Sequence, residues 1–348
     1  MLEYCSDSYG RITLFRVNEY CIRDRGRLCD RARESRLIML FRFNLFNHDE
    51  RGKRSLEDIV TIISHQLRAL GHDVVWDREN NPNRFVSREH GINLIFEGFT
   101  EESDADSSIK LLHEYSPAAR FVILATEEPT DRGFNYGETL QMQKRQRVFH
   151  QAARYCEGIL HLVPGEHVTK WYGQFAPAAP IELGYAPTLI RHDYMEPDFD
   201  FGFFGFVTRR RAKILKALSR VTLGGVHVES TFATQEDRDR AMRRARVIVQ
   251  VKKDDKLGFV SSSRCNTALH IGRPVVAEPH ARSGPWDQVI KFSKTLDGFY
   301  NDCVMARSAW RGVYESQLDK FRKNLSPEFC VGRALREIDL DLNFQKAA

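Results

Sequence analysis

The sequence predicts an α/β protein with two parallel-sheet domains facing a cleft. Three observations carry that expectation. Short apolar runs alternate with helical patterns from Leu37 to about Tyr172, a proline-rich stretch from Ala176 to Pro197 interrupts them, and the alternation restarts at Phe201. Strands joined through helices by short connections pair in parallel and are covered on both faces. The 348 residues match roughly two domains of ~150 residues. A chain of that size builds its core without disulfides or a structural metal.

The expected divisions are an N-terminal extension at 1–36, a first domain at 37–187 and a second at 198–348. Residues 1–36 hold eight Arg and six acids without clean periodicity, so they read as an extension. Leu37–Phe43 is the first expected strand. A helix is expected from Ser55, where Ser55-Leu56-Glu57-Asp58 resembles a capping box, with Ile59, Ile62, Ile63, Leu67 and Leu70 on one face and Gly71 ending it. Strands follow at Asp73–Trp76, Ile92–Phe96, Phe121–Ala125 and Gly158–Val163. Helices are expected at Asp104–Tyr115, Leu140–Cys156 and His167–Tyr172. Pro177, Pro180, Pro187 and Pro197 mark the interdomain linker. In the second half, strands are expected at Phe201–Val207, Val221–Val228, Val247–Val251 and Pro274–Ala277. Helices are expected at Arg209–Ser219, Gln235–Arg244 and Ser263–Ile271. The remainder reads as mainly helical, ending in a helix at Pro327–Leu340.

Composition removes several classes. Hydrophobic residues are 42% and charged residues 28%, the balance of a soluble globular protein rather than a disordered one. Apolar runs such as Phe121–Ala125 fall far short of the about 20 residues a membrane span needs. The N-terminus carries Arg11, Arg16 and Arg23 in place of an apolar stretch, so no secretory leader is expected. Seven scattered cysteines without CxxC spacing read as reduced thiols of a cytoplasmic protein, with no zinc site. The net charge is +5, yet Val207–Lys253 holds 13 Lys and Arg against 4 acids, a local +9. Such a stretch suits a diphosphate, a nucleic acid or an anionic membrane surface; solvated helix faces are the plainer reading.

In open parallel sheets ligands bind at the carboxyl ends of the strands, so the residues just after each strand are the candidates. Gly205 stands in a strand-to-helix turn followed by Arg209, Arg210 and Arg211. The macrodipole disfavours cations at a helix N-terminus, and a bound anion would explain three of them there. Lys252 and Lys253 follow the Val247–Val251 strand; as point charges they suit a phosphate better than Lys256 further along the loop. Ser263 and Arg264 open the next helix, where a planar guanidinium suits a bidentate diphosphate or carboxylate. Glu278 follows the Pro274–Ala277 strand and is placed to accept two ribose hydroxyls. In the first half, Glu127 and Glu128 follow Phe121–Ala125 and are the candidates for a general base. The Phe43–His48 turn is a weaker candidate for the same cleft, and His113, His150 and His161 read as structural. No GxxxxGK[ST], no GxGxxG after the first strand, no HExxH and no GxSxG is present.

Taken together, these second-half segments resemble the nucleotide-sugar domain of GT-B glycosyltransferases of the glycosyl transferases group 1 type, including spore-maturation-protein-like members. The matching pieces are Leu183–Pro187, Asp200–Gly205 with Arg210 and Arg211, Arg238–Val249, Ser263–Leu269 and Gly272–Glu278. The likeness covers residues 180–280; the first half matches only in strand-helix order. What the resemblance implies is two Rossmann-like domains and sugar transfer without a bound metal or other cofactor. The nucleotide-sugar donor would lie on the second domain and the acceptor on the first. Gly205, Arg210, Arg211, Lys252, Lys253, Ser263 and Arg264 would then hold the donor diphosphate and Glu278 its ribose. Glu127 or Glu128 would act as base if the reaction inverts. Many members carry a second glutamate eight positions before the first; here that position is His270.

The leading expectation is therefore a cytoplasmic glycosyltransferase acting on a glycan, a lipid-linked acceptor or a small molecule, with peripheral contact to the inner face of a membrane left open by the basic stretch. Two others stand beside it: a nucleic-acid-directed protein, either a DNA-base glycosyltransferase or a binder, and a non-catalytic GT-B-fold protein that binds a sugar nucleotide or a protein.

Overall fold

A computed structural model describes residues 2–6, 12–16, 38–77, 85–100, 107–131, 133–135, 140–193, 195–230, 232, 234–253, 255, 258–281 and 284–340. Met1–Arg36 forms one compact unit and Leu37–Ala348 another. In the first, β1 (Leu2–Ser6) pairs antiparallel with β2 (Ile12–Arg16), a regular element where the sequence suggested only an extension.

The second unit opens with β3 (Leu40–Asn44) and α1 (Glu50–Ala69). The helix begins five residues before the expected Ser55. Asp49 is its cap and accepts from Gly52 N–H at 2.7 Å, while Ser55 lies inside and returns its hydroxyl to the Gly52 carbonyl. Ile59, Val60, Ile62, Ile63 and Leu67 form its buried stripe, and Gly71 follows at φ +92° as a left-handed terminator. Next come β4 (Asp73–Asp77), β5 (Gly91–Phe96), α2 (Ser108–Tyr115) and β6 (Phe121–Ala125). The expected residues 104–106 of that helix lie outside the described residues. A small hairpin of β7 (Pro129–Thr130) and β8 (Gly133–Phe134) precedes α3 (Leu140–Ala153), β9 (Gly158–His161), α4 (Glu166–Tyr172) and β10 (Ala178–Pro180).

The expected linker thus contains a strand. β10 pairs in parallel with β9 at the sheet edge, Ala178 opposite Ile159 and Pro180 opposite His161. An edge position is where a strand tolerates proline. The six strands run in parallel in the order β10-β9-β6-β5-β3-β4, with every residue of β5 and β6 buried.

The second sheet is built from β11 (Phe199–Phe204), β12 (Val226–Glu229), β13 (Ala245–Gln250) and β14 (Val275–Ala277). Between them lie α5 (Arg209–Leu218), α6 (Gln235–Arg243) and α7 (Ser262–His270). β12 is shorter than expected because Thr222 and Gly224 turn inward to hydrogen-bond the Asp200 carboxylate. The order is β12-β11-β13-β14, all parallel. Helices α8 (Leu296–Ser308) and α9 (Trp310–Asn324) follow. The expected final helix is a π-helical turn at Glu328–Gly332 leading into α10 (Arg333–Glu337). Its residues Cys330, Leu335 and Ile338 join the core that α1 and the first sheet share, so the two sheets do not divide the chain at one point. Cys265, Cys303 and Cys330 are buried free thiols whose pKa burial pushes far up.

Both sheets therefore share one strand order: each first strand is flanked by its second on one side and its third on the other. The reversal of winding falls between β3 and β5 in one sheet and between β11 and β13 in the other. A crevice opens at the carboxyl ends of the strands there. The architecture is two Rossmann-like parallel sheets of the GT-B kind. No described helix is long and apolar enough to cross a membrane.

Candidate active site

At the β11/β13 reversal point lies a cavity of about 820 Å³, its open mouth included, lined by both sheets. Thr126 and Leu162 come from the first sheet. Arg211, Gln250, Lys252, Lys253, Ser263, Arg264, Glu278 and His280 come from the second.

Arg264 is the centre of the second-sheet wall. It stands in the first turn of α7, whose cap Ser261 makes no side-chain capping bond, so helix N–H groups and a guanidinium meet at one place. Gly205 makes the room: it holds φ +152°, and a Cβ there would touch the Arg264 guanidinium carbon at 3.4 Å. The Gly205 N–H is bonded to the Glu229 carbonyl at 2.9 Å, so this glycine supplies space rather than the expected amide donor. Arg264 donates to Gln250 Oε1 at 3.2 Å and lies 5.6 Å from the centre of the Phe203 ring. No described carboxylate pairs with it. Burial and the neighbouring Arg211 guanidinium push its pKa down to about 10. A partly desolvated cation is costly when it has no counterion, and a bound anion would lower that cost. Gln250 Nε2 is also buried there without a hydrogen-bond partner.

Arg211 is buried over the same Phe203 ring at 5.2 Å and is held by the Val251 and Phe206 carbonyls. Arg210 has a different place. It does not line the cavity; it grips Glu278 with two hydrogen bonds, 2.9 and 2.6 Å, and reaches Asp255 with a third. Glu278 also accepts the Lys252 N–H. The structure thus joins the expected ribose carboxylate to one of the expected diphosphate arginines, and Arg210 acts as the strut that orients Glu278. Asp254, Lys256 and Leu257 of the same loop lie outside the described residues.

Part of the basic stretch is paired within the fold. Arg238 pairs with Asp58 and Asp239, Arg243 with Asp193, Arg244 with Asp198, and Arg246 with Asp200. Asp58, Asp193, Asp198 and Asp200 lie outside the stretch, so sequence counting could not pair them with it.

The first-sheet wall carries carboxylates. Glu127 is clamped by Arg145 and bonded by Asn135, and Glu128 is buried with His167 at 3.5 Å. Neither lines the cavity. The residue behind Thr126 is Glu97, which sequence reading passed over although it directly follows β5. It is 4% exposed, and one oxygen accepts from both the backbone and the hydroxyl of Thr126. The other oxygen is buried without a partner. Burial first, and then the nearby Glu127 charge, raise the Glu97 pKa to about 7. His48, at the end of the Phe43–His48 turn, packs edge-on to Phe96, outside the cavity lining. His161 is buried between Val163 and Thr169 and stacks on Tyr172, a structural placement.

No protein-family model matches the sequence, and no curated protein matches it. Solved structures do match in fold. An α-glucosyltransferase in complex with UDP and a 13-mer DNA containing an HMU base superposes with a TM-score of 0.59 at 10% identity, covering 87% of this chain and 100% of that one. The T4 phage β-glucosyltransferase superposes with a TM-score of 0.51 at 8% identity, again over 87% and 100%. At these identities the likeness is one of fold, and the fold is the two-sheet architecture that the sequence predicted.

Proposed function

We propose that the protein is a glycosyltransferase that moves a sugar from a nucleoside-diphosphate sugar to an acceptor hydroxyl. The observation that carries the reading is Arg264, a half-buried cation facing the interdomain cavity with no described carboxylate to pair with it. Both fold neighbours are glucosyltransferases, one of them solved with UDP, which supports the same reading.

In this reaction the acceptor oxygen bonds to the anomeric carbon as the bond from that carbon to the diphosphate breaks. The electron pair leaves with the nucleoside diphosphate, and the acceptor's proton passes to a base. Negative charge grows on the leaving diphosphate, where Arg264, Arg211, Lys252, Lys253 and the α7 N-terminus are already in place. These groups take the part a metal plays in other sugar transferases, so a chelator is expected to leave turnover unchanged. Glu278, fixed by Arg210, receives the ribose. Like Glu127 and Glu128, Glu97 does not line the cavity, but it accepts from Thr126, which does, so it is the base candidate through the Thr126 hydroxyl, with a pKa near 7 that suits proton transfer at neutral pH.

The test is calorimetric titration with UDP, GDP, TDP, ADP and CMP without added metal. Hydrolysis or transfer from the matching sugar conjugate is then followed. Binding of one nucleotide together with its release from the conjugate is expected. Binding by none contradicts the proposal, and binding without turnover across many acceptors points to a non-catalytic sugar-nucleotide binder.

A further inference from the structure

The first two helices of the second sheet treat their positive charge differently. In α6 the cations Arg238, Arg240 and Arg243 each meet an acid. In α5 there is no acid to meet: Arg209–Arg220 holds six Lys and Arg and no Asp or Glu. Two of the six are already placed, Arg210 on Glu278 and Arg211 in the cavity wall. The other four, Arg209, Lys213, Lys216 and Arg220, are exposed, and none of their side chains has a hydrogen bond or ion pair with a described residue. Arg209, Lys213 and Lys216 recur at helical spacing along one face. The opposite face carries Ile214, Leu215 and Leu218, which share an apolar cluster with Phe201 and Phe203. Arg220 stands in the turn that follows the helix.

This arrangement is locally unfavourable. Like charges three or four positions apart repel, and Arg209 sits at the helix end where the macrodipole disfavours a cation. An external polyanion would reverse both effects. The stripe is about 16 Å long at about 1.5 Å per residue, too long for one small anion and matched to successive phosphates of a strand. A bilayer fits less well. A helix that lies in a membrane surface turns its apolar face to the acyl chains, and the apolar face of α5 is already buried in the core. Phe206 before the helix and Leu223 after it, 71% and 98% exposed, are side chains a bilayer would take up, so vesicles supply the contrary arm of the test.

We infer that the exposed face of α5 is a docking surface for the phosphate backbone of a nucleic acid, with Arg209, Lys213, Lys216 and Arg220 contacting successive phosphates. Such contacts position a strand without reading its sequence. The stripe starts next to Arg210 and Arg211, so a docked strand begins beside the residues that brace the cavity. The surface does not depend on the donor reading, because none of its four cations lines the cavity.

The experiment follows fluorescence anisotropy of a labelled mixed-sequence DNA duplex from low to physiological KCl. Flotation with vesicles of phosphatidylserine and phosphatidylcholine runs beside it. The proteins are the wild type, the triple variant Lys213→Gln/Lys216→Gln/Arg220→Gln, the charge-keeping pair Lys213→Arg/Lys216→Arg, Arg240→Gln in α6, and Arg264→Ala. Wild-type affinity is expected to fall steeply with salt. The triple variant should flatten the slope of log affinity against log salt by about 2 to 3, at just under one per lost phosphate contact, and weaken binding at least about tenfold at low salt. The charge-keeping pair and Arg240→Gln should keep the wild-type slope. Arg264→Ala should keep it too, so the surface and the diphosphate site fail separately. Thermal melts check folding; if the triple variant does not fold, its single substitutions, each flattening the slope by about 1, carry the test. No DNA binding by the wild type, an unchanged slope in the triple variant, or vesicles bound in place of DNA overturns the proposal. So does a slope lost in Arg264→Ala and kept in the triple variant, which would put the strand in the cavity.

Discussion

The two walls of the cleft share a strand order and differ in charge. The second-sheet wall gathers cations at its reversal point: Arg264, Arg211, Lys252 and Lys253. The first-sheet wall places buried carboxylates at or near the same ends of its strands: Glu97, Glu128 and Glu182. One fold plan used twice has been given opposite electrostatics. The difference teaches how the labour divides. Charge that leaves with a diphosphate belongs on the cationic wall, and a proton released by a hydroxyl belongs on the anionic one.

The comparison breaks most sharply at Glu97. Glu97→Gln is expected to lower turnover by about a hundredfold to ten-thousandfold, the range of a lost general base, with donor affinity unchanged. In the wild type, turnover should climb as pH rises through about 7, where Glu97 loses its proton, and this limb should vanish in the variant. Steady-state rates from pH 5.5 to 8.5 check both statements; a fully active variant removes Glu97 from the chemistry.

Stability offers the next contrast. Glu97 and Glu182 both rise from an ordinary 4.5 to about 7 in the folded state. A carboxyl that holds its proton more tightly when folded contributes most below its unfolded pKa. Stability is lost as pH rises from about 4.5 to 7 and then levels off. Glutamine at either position removes the loss. Each variant should therefore gain on the wild type between those pH values, by up to about 3 kcal/mol, and hold the gain above them. Thermal melts at pH 4.5, 6 and 8 read this directly, and a gap that closes with rising pH contradicts it. Arg264, a cation, gives no such signature in this window.

The smallest effect is expected at Gly205. Alanine there is strained by the φ of +152° and meets the Arg264 guanidinium. A cost of about 1–2 kcal/mol in stability is expected, with donor affinity falling a few-fold as Arg264 shifts. Denaturant unfolding and nucleotide titration of the one variant check both; unchanged affinity would mean that Arg264 does not need this position.

Much of this was legible in the sequence for a physical reason. Apolar periodicity fixed where strands run, and the carboxyl-end rule then pointed to Lys252, Lys253, Arg264 and Glu278, which line one cavity, and to Gly205, which packs against Arg264. The same rule covers Glu97, directly after Ile92–Phe96, yet a single acid between Phe96 and Gly98 drew less notice than the pair at Glu127 and Glu128. Glu182 was hidden because Pro177 and Pro180 mark a linker by composition while serving an edge strand in the fold. The grip of Arg210 on Glu278 spans 68 positions, and Arg145 reaches Glu127 across a helix. Such pairings depend on tertiary placement, and no local pattern reports them. Asp49 displaced Ser55 as the helix cap because either residue satisfies the local rule, and only the packing of α1 selects between them.

The central claim is that the cationic wall is a diphosphate site. Its most direct test is a cycle of four affinities: the preferred nucleoside diphosphate and its parent nucleoside, each against the wild type and Arg264→Ala. The account predicts that the wild type favours the diphosphate by at least about tenfold, and that Arg264→Ala loses about 1.5–3 kcal/mol of that preference, the worth of a charge-assisted hydrogen bond. A preference for the diphosphate that survives intact in Arg264→Ala would contradict it.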